Sequence, residues 1–199
     1  CFEIRSRGIE FLRAVADASS LIHPAKVPRF WALMRKTFKE ILIPEAVYKE
    51  VLKGSEIRSP DVTVIERAIE EGWINVRKVE LKTPLPENLG GGEKEAIALM
   101  KKEKANWLLM DDKVASTTAK LMGLNVRPAV YLLIYWTRKG VTNASQALEM
   151  LDDMVKEGYR LGSQDYITIK RLVIGAHEKT KKNPSQPRPR IRHRAIPRS

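Results

Sequence analysis

At 199 residues, with 43% apolar and 30% charged side chains, the chain has the length of about one domain and the composition of a globular protein. A single cysteine, Cys1, excludes an intramolecular disulfide, and the longest apolar run, Ala129 to Trp136, is far short of the roughly 20 residues a membrane-spanning helix needs. The net charge of +12 points to a polyanionic partner, nucleic acid first, although residues 177–199 hold eight Lys or Arg against one Glu and so carry most of the excess. The opening CFEIRSRGIEFLR lacks an apolar core of signal-peptide length, and with the lone cysteine this makes the cytoplasm the expected compartment.

In chain order, FLRAVADAS reads as a buried strand that turns polar around Asp17. EILIPEAV gives a second strand through Ile41, Leu42 and Ile43, stopped at Pro44. A helix follows from Glu45 to about Lys53, with Gly54 as its C-cap. Asp61 is expected to cap a helix over VTVIERAIEEG, whose Val62, Ile65 and Ile69 recur at helical spacing. WINVRKVE is the third strand, and LKTPLPENLGGG a loop by its Pro, Asn and Gly content. Next come the helix EKEAIALMKKEKA, the strand NWLLMDD, the helix KVASTTAKLMG and the short strand LNVRP. Three helices close the chain: AVYLLIYWTRKG, NASQALEMLDDMVKEG and SQDYITIKRLVIG, the second with Asn143 and Gln146 at capping-box spacing. The domain proper is expected over 1–175, with a helical extension from about 141, and 176–199 as a basic Pro/Arg-rich tail.

Apolar strands separated by helices imply an α/β fold, a parallel sheet of about five strands covered by helices on both faces. Function in such sheets gathers beyond the carboxyl ends of the strands, so the residues there matter most. Asp17 follows the first strand; Asp111 and Asp112 follow the fourth. Glu93 and Glu95 fall in the first turn of the helix after Gly90-Gly91-Gly92, and Glu45 and Glu50 in the helix after strand two. Carboxylates converging on one crevice repel one another unless cations intervene. Hard ions such as Mg²⁺ or Mn²⁺ are the expected occupants, since neither His nor Cys joins the set. Two such ions can support in-line hydrolysis of a phosphodiester. Each acid also has a structural alternative: Asp112 is equally placed to cap the KVASTT helix, and Glu45, Glu93 and Glu95 suit the positive end of a helix dipole.

Other signals are weaker. Gly90-Gly91-Gly92-Glu93-Lys94 lacks the Ser or Thr a phosphate loop needs after its Lys. His23, His177 and His193 are too scattered for a zinc site or an acid–base pair. Trp31, Trp73, Trp107 and Trp136 read as core, and a packed helix is the favoured reading around Phe30 and Trp31 over base stacking.

The chain resembles PIN domains, specifically the DUF3368-type, VapC-like group, from about Val15 to Val173. The resemblance rests on VADASSLI, ILIPEAVYKEVLKG, LGGGEKEAIALM and WLLMDDKVASTTAKLMGLNV in that order, with ALEMLDDMVKEGYRLGSQDY similar to the helical extension of the same group. It implies a catalytic, metal-binding set of Asp17, Glu50, Glu95 and either Asp111 or Asp112, with Glu93 as a further acid and Ser19 supporting Asp17. It implies a Mg²⁺- or Mn²⁺-dependent endoribonuclease acting on RNA, often dimeric, and in many members the toxin of a VapBC-type pair with a cognate antitoxin. The chain departs from the pattern at Ser116, where an Arg is common, and at Arg127-Pro128, where Gly-Thr is common.

Two rival functions follow from the same residues. One is a non-catalytic RNA- or protein-binding module on a PIN scaffold. The other is a phospho-acceptor receiver domain, which expects paired acids on the first strand where this chain has only Asp17.

Overall fold

The structure is a computed structural model that describes residues 12–53, 59–81 and 84–182. Five strands, β1 (Leu12–Ala16), β2 (Phe38–Pro44), β3 (Ile74–Arg77), β4 (Trp107–Leu109) and β5 (Val126–Arg127), form one sheet in the order β3-β2-β1-β4-β5. Every pairing is parallel. Parallel neighbours need crossovers, and the crossovers are helical. Among the described residues these helices are α1 (Ser19–Ala25), α2 (Pro28–Thr37), α3 (Glu45–Lys53), α4 (Pro60–Glu70), α5 (Gly91–Glu103), α6 (Lys113–Leu121), α7 (Tyr131–Arg138), α8 (Ala144–Lys156) and α9 (Ser163–Lys182). No described helix is long and apolar enough to cross a membrane.

Strand alternation builds two cores. Ala14, Ala16, Ile41, Ile43, Ile74, Trp107 and Leu109 face a large core shared with α1–α4 and α7–α9. Their neighbours Val15, Leu42, Leu108 and Val126 face a smaller one closed by α5 and α6. With both faces covered, the strands read as unbroken apolar runs.

The connections run outward from β1 through β2 to β3, then return across the sheet to β4 and β5. The strand order therefore reverses between β1 and β4, and the crevice at their carboxyl ends is the switch point of the fold.

Several boundaries differ from the sequence reading. The segment between β1 and β2 folds as two helices, α1 and α2; Phe30 is buried edge-on to Trp136, ring centroids 4.8 Å apart, and Trp31 lies on Trp73 at 5.1 Å. Helix α4 starts at Pro60 with Ser59 as N-cap, so Asp61 lies inside its first turn, buried and accepting a hydrogen bond from the Ser59 hydroxyl. The glycine run is the start of α5 rather than a loop before it. Helix α9 continues past Gly175 to Lys182. Buried Ile169, Val173 and Ala176 hold it to the body, and Thr180 reaches the Thr137 carbonyl at the end of α7. Such packing outweighs the roughly 1 kcal/mol a helical glycine costs. Gly54, expected as a C-cap, lies outside the described residues.

Candidate active site

Asp17 extends the β1–β4 ladder one step beyond β1, its amide donating to the Leu109 carbonyl at 3.0 Å. The carboxylate thus emerges at the carboxyl edge of the sheet, only 5% exposed. Its Oδ1 accepts the Ser20 amide at 2.8 Å and its Oδ2 the Asp111 amide at 3.2 Å. Ser20, not Ser19, supports this carboxylate: the amide of Ser20 lies in the first turn of α1, whereas Ser19 is exposed. Burial, then the nearby Asp111 charge, push the Asp17 carboxyl from 3.8 up to about 7.

Asp111 follows β4 and meets Asp17 across the switch point. Its Oδ1 accepts the Ala129 amide at 2.9 Å and the Tyr159 hydroxyl at 2.7 Å; its Oδ2 accepts the Ser20 hydroxyl at 3.1 Å. Burial moves the Asp111 carboxyl upward as well, against these hydrogen bonds. Burial, with Asp111 alongside, raises the Tyr159 phenol, which therefore stays protonated as a donor. The His23 ring stands edge-on to Tyr159, centroids 5.4 Å apart, and burial lowers its pKa. Asp112, one residue on, does a different job. It is exposed, and its Oδ1 caps α6 by accepting the Ala115 amide at 2.8 Å.

The glutamates gather elsewhere. Glu50 of α3 accepts the Gly92 amide of α5 at 3.2 Å, and Glu95 of α5 accepts the Ala46 amide of α3 at 3.0 Å. The two helices thus exchange carboxylates, each satisfying a free N–H and the positive dipole end of the other. Glu93 reaches back to the Gly90 amide at 2.8 Å within its own helix, and Glu45 is exposed. The four-acid set expected in one crevice is therefore not brought together. Asp17 and Asp111 meet; Glu50 and Glu95 are engaged at helix N-termini.

Asp111 also lies on the wall of a cleft of about 960 Å³ between α6 and α9. Lys113, Thr117 and Lys120 line it along one face of α6, Arg160 from the turn after α8, and Asp165 and Thr168 from α9. Lys113 and Asp165 approach across it at 3.5 Å. Val130, Leu161 and Ile169 form its apolar part.

A comparison with known families bears directly on this arrangement: the family described as DUF3368, a PIN domain, matches residues 13–174. The chain belongs to the PIN-domain family. Among solved structures it is similar to a PilT N-terminus domain protein, SSO1118, from the hyperthermophilic archaeon Sulfolobus solfataricus P2. The identity is 21% over 76% of this chain and all of that one, with a TM-score of 0.46. None of the curated proteins matches the chain.

PIN domains are generally metal-dependent nucleases, and the donors of this PIN domain test that chemistry. Among the described residues no group of three or more His, Cys, Asp or Glu is arranged to hold a metal ion. A pair is present. Asp17, buried, and Asp111, half-buried, stand side by side, and no described Lys or Arg forms an ion pair with either. A like-charge pair partly withdrawn from water favours a bound cation, and Mg²⁺ is commonly held by one or two carboxylates with water and substrate phosphate completing the shell. The residues fit a hard divalent ion on those terms.

Sequence reasoning missed Ser20, Tyr159 and the Ala129 amide. Tyr159 is 48 residues from the acid it touches, and its sole local signal is Gly158, which takes a left-handed turn with φ of 92° just before it.

Proposed function

We propose that this PIN domain is a metal-dependent endoribonuclease that hydrolyses RNA phosphodiesters at the Asp17–Asp111 pair. One observation carries the reading: buried Asp17 and half-buried Asp111 meet at the sheet's switch point, unmatched by any described Lys or Arg, and Asp111 opens onto a cleft lined by Lys113, Lys120 and Arg160. Acids that would hold a cation, beside bases that would hold phosphates, are the division of labour phosphodiester hydrolysis requires.

Asp17 and Asp111 would hold Mg²⁺ or Mn²⁺, which when bound neutralises developing charge on the phosphoryl oxygens. Ser20 and Tyr159 hold the Asp111 carboxylate in place. Lys113, Lys120 and Arg160 steady the strand through its phosphates. Water adds across the P–O3′ bond, leaving a 5′-phosphate and a 3′-hydroxyl, with no protein nucleophile required. RNA in preference to DNA is the choice the family resemblance supports. A toxin held by an antitoxin, or a homodimer, is the assembly that the family resemblance supports.

The test is cleavage of end-labelled single-stranded RNA, and of DNA of the same sequence, with Mn²⁺, with EDTA, and with Asp17→Asn. RNA cleavage by the wild type alone, abolished by EDTA, is the expected result. Retained cleavage by a folded Asp17→Asn variant overturns the site assignment. RNA retention without turnover replaces the enzyme with a binding module.

A further inference from the structure

Asp111 is held from three directions, and one holder is a tyrosine from beyond α8. Tyr159 sits immediately after α8, where Gly158 turns the chain and the Tyr159 amide closes on the Met154 carbonyl at 2.9 Å. The turn sends the phenol inward; the residue is 6% exposed, its ring against His23. Packing alone would be served by phenylalanine, yet the hydroxyl is delivered to Asp111 Oδ1 at 2.7 Å.

The placement decides which oxygen of Asp111 is available. Each carboxylate oxygen accepts about two hydrogen bonds. On Oδ1 both are taken, by the Ala129 amide and the Tyr159 hydroxyl. Among the described residues Oδ2 accepts only the Ser20 hydroxyl, and that same residue's amide binds Asp17. The oxygen with spare capacity is thus the one tied through Ser20 to Asp17.

We propose that Tyr159 is a positioning residue for the metal site: by occupying Asp111 Oδ1 it presents Oδ2 for a cation shared with Asp17, which makes the α8–α9 turn part of the active centre. This rests on the Asp17–Asp111 reading above. Ala129 comes from the turn before α7 and Ser20 from α1, so among the described residues Tyr159 is the donor that links the pair to the α8–α9 segment.

The test uses the full chain and Mn²⁺ alone, with free Mn²⁺ followed by electron paramagnetic resonance at a temperature where melting curves show every variant folded. Tyr159→Phe keeps the ring and removes the hydroxyl. Losing such an outer partner typically weakens metal affinity about 10–100-fold, and that loss is expected here. Tyr166→Phe is the control. It loses a phenol bond to Asp152 in the same extension, and its Mn²⁺ affinity is expected to stay at the wild-type value. Wild-type affinity in Tyr159→Phe overturns the role of Tyr159 and leaves the acid pair standing. Absence of Mn²⁺ binding by the wild type overturns both. Should Tyr159→Phe fail to fold, the wild type still decides: Mg²⁺ titration is expected to give a saturable tyrosine ultraviolet difference spectrum, retained in Tyr166→Phe, and its absence overturns the proposal.

Discussion

The carboxylates after β1 and β4 and those on α3 and α5 are the same chemical groups near the same edge of one sheet, yet their surroundings differ. Glu50 and Glu95 each face the start of a helix, where free amides and the dipole already favour a negative charge. Asp17, buried, and Asp111, half-buried at the cleft wall, face each other with hydrogen-bond donors but no described cationic side chain in an ion pair with either. The first arrangement is complete as it stands and serves to lock two helices together. The second stores electrostatic cost, which structures tend to keep where a ligand relieves it. Carboxylate type and approximate location therefore say little; the compensation around each group distinguishes a clamp from a site.

The sharpest way to break this contrast is to exchange neighbours after β4. Asp111→Asn is expected to reduce Mn²⁺-dependent RNA cleavage by more than the roughly 10–100-fold that an outer partner costs. Asp112→Ala is expected to keep cleavage and lower stability by about 1 kcal/mol through loss of the α6 cap. Steady-state rates with denaturant melts separate the two effects. Reversed roles would move the site one residue along the chain.

Proton linkage gives the next largest effect. The Asp17 carboxyl titrates near 7 in the folded chain and at its ordinary 3.8 when unfolded, so the folded state holds this proton more tightly. Its contribution to stability is full below about pH 4 and is lost as the pH rises through about 7. The full excursion is on the order of 4 kcal/mol, shared with Asp111 because the two titrate together. In EDTA, the stability of wild type minus Asp17→Asn is expected to fall between pH 4 and pH 8. A difference independent of pH would mean that neither burial nor the neighbouring Asp111 raises this carboxyl.

The contrast also explains what could be read from the residues. The strands were legible because burial on both faces leaves unbroken apolar runs, and acids after β1 and β4 because a parallel sheet brings every such run to the same edge; the choice between Asp111 and Asp112 was not. α6 was legible through Asp112, whose cap acts over three residues. What escaped was non-local. The Glu50 bond to Gly92 spans 42 residues and the Glu95 bond to Ala46 spans 49, so neither partner is visible in the local pattern. α1 escaped because Pro24 interrupts the apolar period; α2 was read as a packed helix around Phe30 and Trp31 but without bounds, and Pro28 is in fact its first residue. Ser20 was displaced by its neighbour Ser19 because only the helix start decides which amide is free.

The α3–α5 exchange yields smaller effects. Glu50→Ala and Glu95→Ala are each expected to cost about 1 kcal/mol in urea melts, the worth of a helix N-terminal acceptor, while Mn²⁺ affinity stays within about threefold of wild type. Loss of metal binding in either variant would return that glutamate to the ligand set and merge the two regions.

Gly92→Ala probes the same clamp without touching an acid, and its expected net effect is the smallest. A Cβ at position 92 would lie 2.5 Å from Glu50 Oε1, so the carboxylate must withdraw from the Gly92 amide. Glu50 is half-exposed on a flexible side chain, so it can withdraw at little cost beyond the lost hydrogen bond, about 1 kcal/mol. Against this, alanine gains roughly 0.8–1 kcal/mol over glycine within α5. The two nearly cancel, and urea melts are expected to agree with wild type to within about 1 kcal/mol, with Mn²⁺ affinity unaltered. A destabilisation well beyond that would mean Glu50 is pinned by more than the α5 amide. The glutamate would then belong with Asp17 and Asp111 rather than with the clamp.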